Sequence, residues 1–285
     1  MTEFLKMHGL GNDFIILDAR GGKALTVSPD AARALTDRRR GIGCDQLLII
    51  RDSDVADIQM DILNSDGTAS GACGNGTRCV ADFVMQGLGQ DQLSIATDGG
   101  MLAAHYDNQY GDNLIAVDMG PARTDWQDVP LARASDTLSL DLGHNLGPVV
   151  CHSIGNPHAI AFVDDVDAID LAQIGPIIEH HEIFPERVNF SIVAKRDDGV
   201  FRMRVWERGV GITMACGSGA CAVGAAIYRR GLGGRHNEII MDGGSVFIDW
   251  IDDGSAGGRV MLIGPISYSY SGVLSPELAA LLAGS

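Results

Sequence analysis

The strongest constraint on how this chain can fold is a repeat within it. Gly11-Asn12-Asp13-Phe14 and Gly155-Asn156-Pro157-His158 stand 144 residues apart, and Cys73-Gly74-Asn75-Gly76 and Cys216-Gly217-Ser218-Gly219 stand 143 apart. Asp98-Gly-Gly pairs with Asp242-Gly-Gly and Met119-Gly-Pro with Ile263-Gly-Pro, both at 144, and Ile58-Gln-Met pairs with Phe201-Arg-Met at 143. Five correspondences in one order, at an offset of half the chain, point to two copies of one unit of about 140 residues. The joint falls in Pro121 to Pro148, which lacks a counterpart in the strongest matches and holds three of the nine prolines. The expected division is a first unit over 1–120 and a second over 121–264.

Each unit reads as mixed α/β. Short runs rich in Ile and Val, bounded by Gly, Asp and Asn, predict strands at 14–17, 47–50, 58–63, 114–117, 159–163, 190–193, 201–206, 246–250 and 260–263. Ser28-Pro29-Asp30 opens a helix with a cap, a proline at its first position and an acid in its first turn, and Arg38-Arg39-Arg40 with Gly41 close it. Asp170 to His180 is a weaker helix candidate. The segments after the two cysteine motifs read as helices at Gly76–Gln86 and Gly219–Arg230. The second is apolar nearly all round, and such a helix is buried. Each unit should therefore wrap strands around a central helix with a cysteine at its N-terminal end.

Twenty-one basic against 37 acidic side chains give a net charge of −16. That disfavours nucleic acid and anionic membranes as partners, since both demand basic surface. Nothing at the N-terminus reads as a signal peptide, and no apolar run approaches the ~20 residues of a membrane span. The expectation is a cytoplasmic protein with reduced thiols. Of its six cysteines, Cys73/Cys79 and Cys216/Cys221 have no zinc-knuckle spacing, so no metal is expected.

The placement of Cys73 and Cys216 suggests chemistry. A helix N-terminus carries unpaired N–H groups and partial positive charge, which lowers a thiol's pKa and can hold a carboxylate. The glycines of both motifs let a ligand approach the backbone. Two such units facing each other would let one thiolate remove an α-proton while the opposite thiol returns one on the other face. That inverts a stereocentre by acid–base catalysis and oxyanion stabilisation. It needs neither metal nor pyridoxal lysine, and the chain has only Lys6, Lys23 and Lys195. Cys79, Cys221, Cys44 and Cys151 break the repeat and read as packing residues. Taken alone, each asparagine in these turns is ordinary turn chemistry, Glu207-Arg208 an exposed ion pair, and His158 equally a structural or a site residue.

Together, His8-Gly-Leu-Gly-Asn12-Asp-Phe, Gly41-Ile-Gly-Cys-Asp45-Gln46, Asn64-Ser-Asp-Gly67, Cys73-Gly-Asn-Gly, Gly155-Asn156-Pro-His158, Arg187-Val-Asn189, Glu207-Arg208-Gly and Ala215-Cys216-Gly-Ser-Gly resemble the diaminopimelate epimerase family in order and spacing. The resemblance implies two pseudo-symmetric domains, each a strand barrel around a central helix, with the site in the cleft between and residues 265–285 returning to the first domain. It implies conversion of LL- to meso-diaminopimelate without a cofactor, in lysine and cell-wall precursor synthesis, in the cytoplasm, by a homodimer. By position, Cys73 and Cys216 become the acid/base pair, and Gly74, Asn75, Gly217 and Ser218 hold the reacting carboxylate. Asn12, Gln46, Asn64, Asn156, Asn189 and Arg208 take the amino and distal carboxylate groups, His158 and Glu207 tune the thiols, and Glu207 also faces substrate. The sequence departs from the family at Ile212, where Glu is common, and at Cys44. Three alternatives remain: a proline or hydroxyproline racemase, whose monocarboxylate would leave Arg208 and the asparagines without a distal group; a thiol redox protein; and a non-catalytic amino-acid binder.

Overall fold

The computed structural model describes residues 2–22, 25–71 and 73–282; Lys23 and residues 283–285 lie outside them. The chain divides into two compact units, one running to Val117 and resuming at Pro265, the other Asp118–Gly264.

The first unit is built on β1 (Glu3–Gly9), β2 (Asn12–Asp18), β3 (Gln46–Arg51), β4 (Ile58–Asn64), β5 (Gln92–Thr97), β6 (Gly100–Asp107) and β7 (Leu114–Asp118), lying side by side in that order. From the tail, β16 (Ser267–Val273) adds antiparallel to β1. The second unit repeats the order with β8 (Val150–Ser153), β9 (Pro157–Phe162), β10 (Asn189–Lys195), β11 (Phe201–Glu207), β13 (His236–Met241), β14 (Gly244–Ile251) and β15 (Arg259–Gly264), and the two-residue β12 (Gly211–Ile212) pairs beside β11. Even the strand directions repeat. β2/β3 and β4/β5 are parallel in the first unit, as β9/β10 and β11/β13 are in the second. The register Ile58↔Ile95 recurs as Phe201↔Ile239.

A parallel pair needs a crossover, and helices supply it. Between β2 and β3 lies α1 (Pro29–Thr36), and between β4 and β5 lies α2 (Gly74–Leu88). Their counterparts are α3 (Leu171–Glu179) and α4 (Gly217–Arg229). The tail ends with α5 (Pro276–Ala280). Within its own unit α2 touches β1, β2, β3, β5 and β6, and α4 touches β8, β9, β10, β13, β14 and β15. Each is thus the central helix of its unit. At Gly224 of α4 an added Cβ would lie 2.4 Å from Ile248 Cγ2, so β14 seats closely against the helix only because no side chain intervenes. The outer helices close a second layer: Ala31, Ala32 and Leu35 of α1 pack on Leu47 and Ile49, and Leu171 and Ile178 of α3 on Phe190 and Ile192. Each fully buried leucine or isoleucine among these is worth about 1.5–3 kcal/mol.

Two boundaries differ from expectation. α1 stops at Thr36, short of Arg38-Arg39-Arg40, because the Asp37 carboxylate accepts the amides of Arg39 (2.7 Å) and Arg40 (2.9 Å) and so turns the chain away from the helix. The central helices begin earlier than predicted, directly after each cysteine. Among the described residues no helix is long and apolar enough to cross a membrane.

Candidate active site

In the first unit Cys73 is the N-cap of α2, in extended backbone (φ −150°, ψ 102°), and its Sγ accepts the Gly76 N–H at 3.4 Å. The first-turn amides of Gly74 and Asn75 precede any intrahelical acceptor, so they are free by geometry to meet an anion. Gly76 lacks a side chain for a local reason: a Cβ there would come within 3.0 Å of Leu48 Cδ1 and 3.3 Å of Phe14. The Cys73 thiol lies 4.0 Å from Asn12 Oδ1, which also takes Asn75 Nδ2 at 3.3 Å. Fully buried Arg78 donates to Asn75 Oδ1 at 3.1 Å.

The orientation of the Asn12 amide is fixed from behind. Its Nδ2 donates to Asp45 Oδ2 at 2.8 Å, and an ionised carboxylate can only accept, so the Asn12 carbonyl must face the thiol. Asp45 is held by Arg38 (2.7 Å) and donates its own amide to Asp13 Oδ1 (3.0 Å). Asp13 takes a two-pronged bond from Arg38 (2.9 and 2.6 Å) and one from Lys6 (2.5 Å), while Lys6 also donates to the Gly43 carbonyl. Burial acts to raise the Asp13 pKa, but its bonds to Arg38 and Lys6 outweigh burial and hold it at about 2. Gln46 and Asn64 form a separate pair across β3 and β4, Gln46 Nε2 donating to Asn64 Oδ1 at 2.9 Å and Asn64 Nδ2 to Thr68 Oγ1 at 3.1 Å.

In the second unit Cys216 caps α4 with nearly the same backbone (φ −131°, ψ 108°). Asn156, the repeat mate of Asn12, turns its amide the other way. Its Oδ1 takes His158 Nε2 at 2.8 Å and its Nδ2 donates to Ser218 Oγ at 3.3 Å, with Ser218 Oγ 3.7 Å from Cys216 Sγ. His158 is completely buried, and burial, with the nearby His152 and Arg208, pushes its pKa down to about 3. It is therefore neutral, with its proton on Nε2 facing an oxygen that can only accept. Its connection to Cys216 runs through Asn156 and Ser218. Asn189 bridges Pro157 O (3.0 Å) and the Arg208 amide (3.0 Å), and Arg208 Nη1 donates to Glu186 O at 2.9 Å.

One expectation is overturned at Cys216. Burial first, and the Glu207 carboxylate second, hold its thiol well above the ordinary value, and the Gly219 amide and Ser218 hydroxyl pull the other way without reversing this. The helix terminus does not prevail because the sulfur is out of water and beside a negative charge. Glu207 takes the Thr213 hydroxyl at 2.5 Å, so the residue after Ile212 helps hold the loop, while Ile212 itself is partly exposed in β12. The remaining cysteines are buried, and burial pushes Cys44 and Cys151 up to about 12 and Cys79 higher still.

The residues expected together in one site fall into local groups: Asn12, Cys73, Gly74 and Asn75 around the first cap, Gln46 and Asn64 bonded to each other, and Asn156, His158, Ser218, Gly217, Cys216, Glu207, Arg208 and Asn189 around the second cap. The sequence missed the supports: Asp45 and Arg38 behind Asn12, Thr213 behind Glu207, and Glu179 under the Arg208 turn. Asp45 stood in a motif that spacing had already marked; Glu179 lay in a weak helix with no signal. Among the described residues no group of three or more His, Cys, Asp and Glu could hold a metal ion.

The diaminopimelate epimerase family model matches residues 4–124 and 150–268, one stretch in each half. Diaminopimelate epimerase of Rhodospirillum centenum is 48% identical over 281 residues, covering 98% of this chain and 94% of that one. That of Acidiphilium cryptum is 48% identical over 280 residues, covering 97% and 98%. The crystal structure of a probable proline racemase from Agrobacterium radiobacter superposes with a TM-score of 0.70 at 14% identity, covering 97% of this chain and 93% of that one; the likeness is one of fold.

Proposed function

The chain belongs to the diaminopimelate epimerase family, and from that premise we propose that it interconverts LL- and meso-2,6-diaminopimelate by moving one α-proton between two thiols, Cys73 and Cys216. The observation that carries the reading is the duplicated cap: in each unit a cysteine, followed by glycine-rich backbone, begins the buried central helix. The α-carboxylate would be held by first-turn amides at Gly74, Asn75, Gly217 and Ser218, where the charge that grows on deprotonation is stabilised. The elevated Cys216 pKa suits a thiol that donates. In one direction the Cys73 thiolate takes the proton from the α-carbon and the Cys216 S–H delivers its own to the opposite face. The pair is left as Cys73 thiol and Cys216 thiolate, the state required for the reverse direction. No cofactor is needed.

A substrate with two amino-acid ends also explains the rest of the cluster. Arg208 offers a guanidinium that can grip a distal carboxylate through two bonds, and the amide oxygens of Asn12, Gln46, Asn64, Asn156 and Asn189 suit ammonium groups. Glu207 biases the Cys216 thiol, and His158, kept neutral, orients Asn156. A proline racemase would leave Arg208 with nothing to bind. We place the enzyme in the cytoplasm, in lysine and peptidoglycan precursor synthesis, as a homodimer; β16, which ends the strand order and exposes Tyr268, Tyr270 and Val273, offers an edge for a second copy.

The test is chiral analysis of LL-diaminopimelate after incubation with the reduced protein. Appearance of the meso isomer with wild type, and not with Cys73→Ala or Cys216→Ala, is expected. Untouched diaminopimelate alongside racemised proline would overturn the substrate and keep the thiol pair.

A further inference from the structure

Glu179 is a buried carboxylate, 3% exposed, that none of the chemistry above uses. It is the last residue of α3. Its Oε2 takes the Trp206 indole N–H at 2.7 Å and its Oε1 takes the Gly209 amide at 2.9 Å. Trp206 and Gly209 are the residues on either side of Glu207-Arg208, so one carboxylate grips both ends of that dipeptide. Two donors converging on one side chain call for a group with two acceptors and no donor of its own, which only an ionised carboxylate supplies. Burial by itself disfavours the charged form, but the Trp206 and Gly209 bonds, with His180 and Arg187 nearby, more than offset it and hold the carboxyl below its ordinary range.

A second feature of α3 is fitted to the same indole. Gly175 lies four residues before Glu179, on the same helix face. A Cβ there would lie 2.5 Å from Trp206 Cδ2. The helix therefore leaves room for the ring at Gly175 and receives its N–H at Glu179. From Trp206 the chain runs to Arg208, whose amide is tied to Asn189 and whose guanidinium donates to Glu186 O, and then to Gly209, which needs its positive φ of 76° to make the turn. Glu207 has its own anchor in Thr213. Loosening Glu179 frees the Gly209 end of the turn beside Arg208, while Thr213 still ties Glu207.

We infer that Glu179 is a positioning residue for epimerisation: by holding Trp206 and Gly209 together it sets where Arg208 presents its guanidinium to the substrate's distal carboxylate. The inference rests on the reading of Arg208 given above. Arg208 binds a part of the substrate that does not react, so a misplaced guanidinium weakens ground and transition states alike. It raises KM and spares kcat.

The experiment is a double-mutant cycle with full-length enzyme and diaminopimelate, comparing wild type, Glu179→Ala, Arg208→Ala and the double variant, with folding checked by circular dichroism. Glu179→Ala should raise KM about tenfold, the scale of a lost charged hydrogen bond, with kcat within about threefold. In the Arg208→Ala background the same change should cost almost nothing more, because it acts through a side chain already removed. Glu179→Gln keeps one acceptor and should fall between; if Glu179→Ala does not fold, Glu179→Gln carries the same cycle. Additive effects, or a fall in kcat with KM unchanged, would overturn the role while leaving the enzyme's function intact. A folded wild type that leaves diaminopimelate untouched would overturn the functional reading and this role with it.

Discussion

Replacing Asp13 by Asn should destabilise the first unit by about 2–4 kcal/mol at neutral pH. Asp13 stands at the centre of the network behind Asn12, 2.5 Å from Lys6 Nζ and joined to Arg38 by two bonds. The Lys6 side chain is only 8% exposed and that of Asp13 16%, whereas that of Arg38 is 57% exposed, so solvent screens Arg38 and the Lys6 pair carries most of the energy. Two routes give the magnitude. Removing one partner of a buried pair costs about 3–5 kcal/mol, and the partial exposure here lowers that figure. Independently, the depression of Asp13 from 3.8 to about 2 corresponds to roughly 2 kcal/mol at ~1.4 kcal/mol per pH unit. The sign follows from the depressed value: the stabilisation is fully present above 3.8 and is lost as pH falls through about 2. Urea unfolding of wild type and Asp13→Asn from neutral to acid pH should show a gap that is full at pH 7 and closes across that window. Adding Lys6→Met should recover much of the loss by removing the stranded ammonium. A variant as stable as wild type at pH 7, or a gap that ignores pH, would refute the reasoning.

Three further outcomes follow from the same geometry. Glu207→Gln removes a negative charge beside Cys216, so the pH profile of Cys216 alkylation, followed by mass spectrometry, should move to lower pH; burial, the larger cause, remains, so the thiol stays above its ordinary value. An unchanged or raised profile would contradict the assignment. His158 and His152 are both held at about 3 against an ordinary 6.5, so each favours folding in its neutral form, and that support is present above 6.5 and lost as pH falls below it. Each should give a stability slope of about 1.4 kcal/mol per pH unit on the acid side of 6.5, which His158→Gln should reduce in urea unfolding; an equal slope in the variant would count against it. Gly224→Ala drives a methyl into Ile248 at 2.4 Å, and calorimetry should report a loss of about 1–3 kcal/mol; an unshifted melting temperature would show that the helix can move aside.

Much of this was legible in the sequence, because a duplication writes the same constraints twice. The cysteine motifs, the apolar helix after Cys216 and the strands with continuous Ile and Val runs, such as Leu47 to Ile50, announced themselves. Two strands outside that set, β16 and β1, lack the signal. β16 reads Ser-Tyr-Ser-Tyr-Ser-Gly-Val and is almost wholly exposed, so no buried face imprints a period on it. β1 carries Lys6 at a buried position, where its bonds to Asp13 and to the Gly43 carbonyl make a lysine tolerable. The site showed the same division. Residues at glycine turns were found; residues acting from behind were not, since Glu179 and Arg38 reach their partners only after the chain has folded. The direction of the Cys216 pKa was also beyond the sequence, because it depends on burial and on Glu207 coming near the sulfur.

The central claim is that two different thiols serve the two faces of one carbon. Running LL-diaminopimelate to partial conversion in D2O tests it most directly. If separate acids and bases act, the meso product carries deuterium at the inverted centre from the first turnovers while recovered LL substrate keeps its protium, and Cys73→Ala and Cys216→Ala each abolish inversion. Deuterium appearing in recovered substrate as fast as in product, or inversion surviving at the wild-type rate in either variant, would contradict the account.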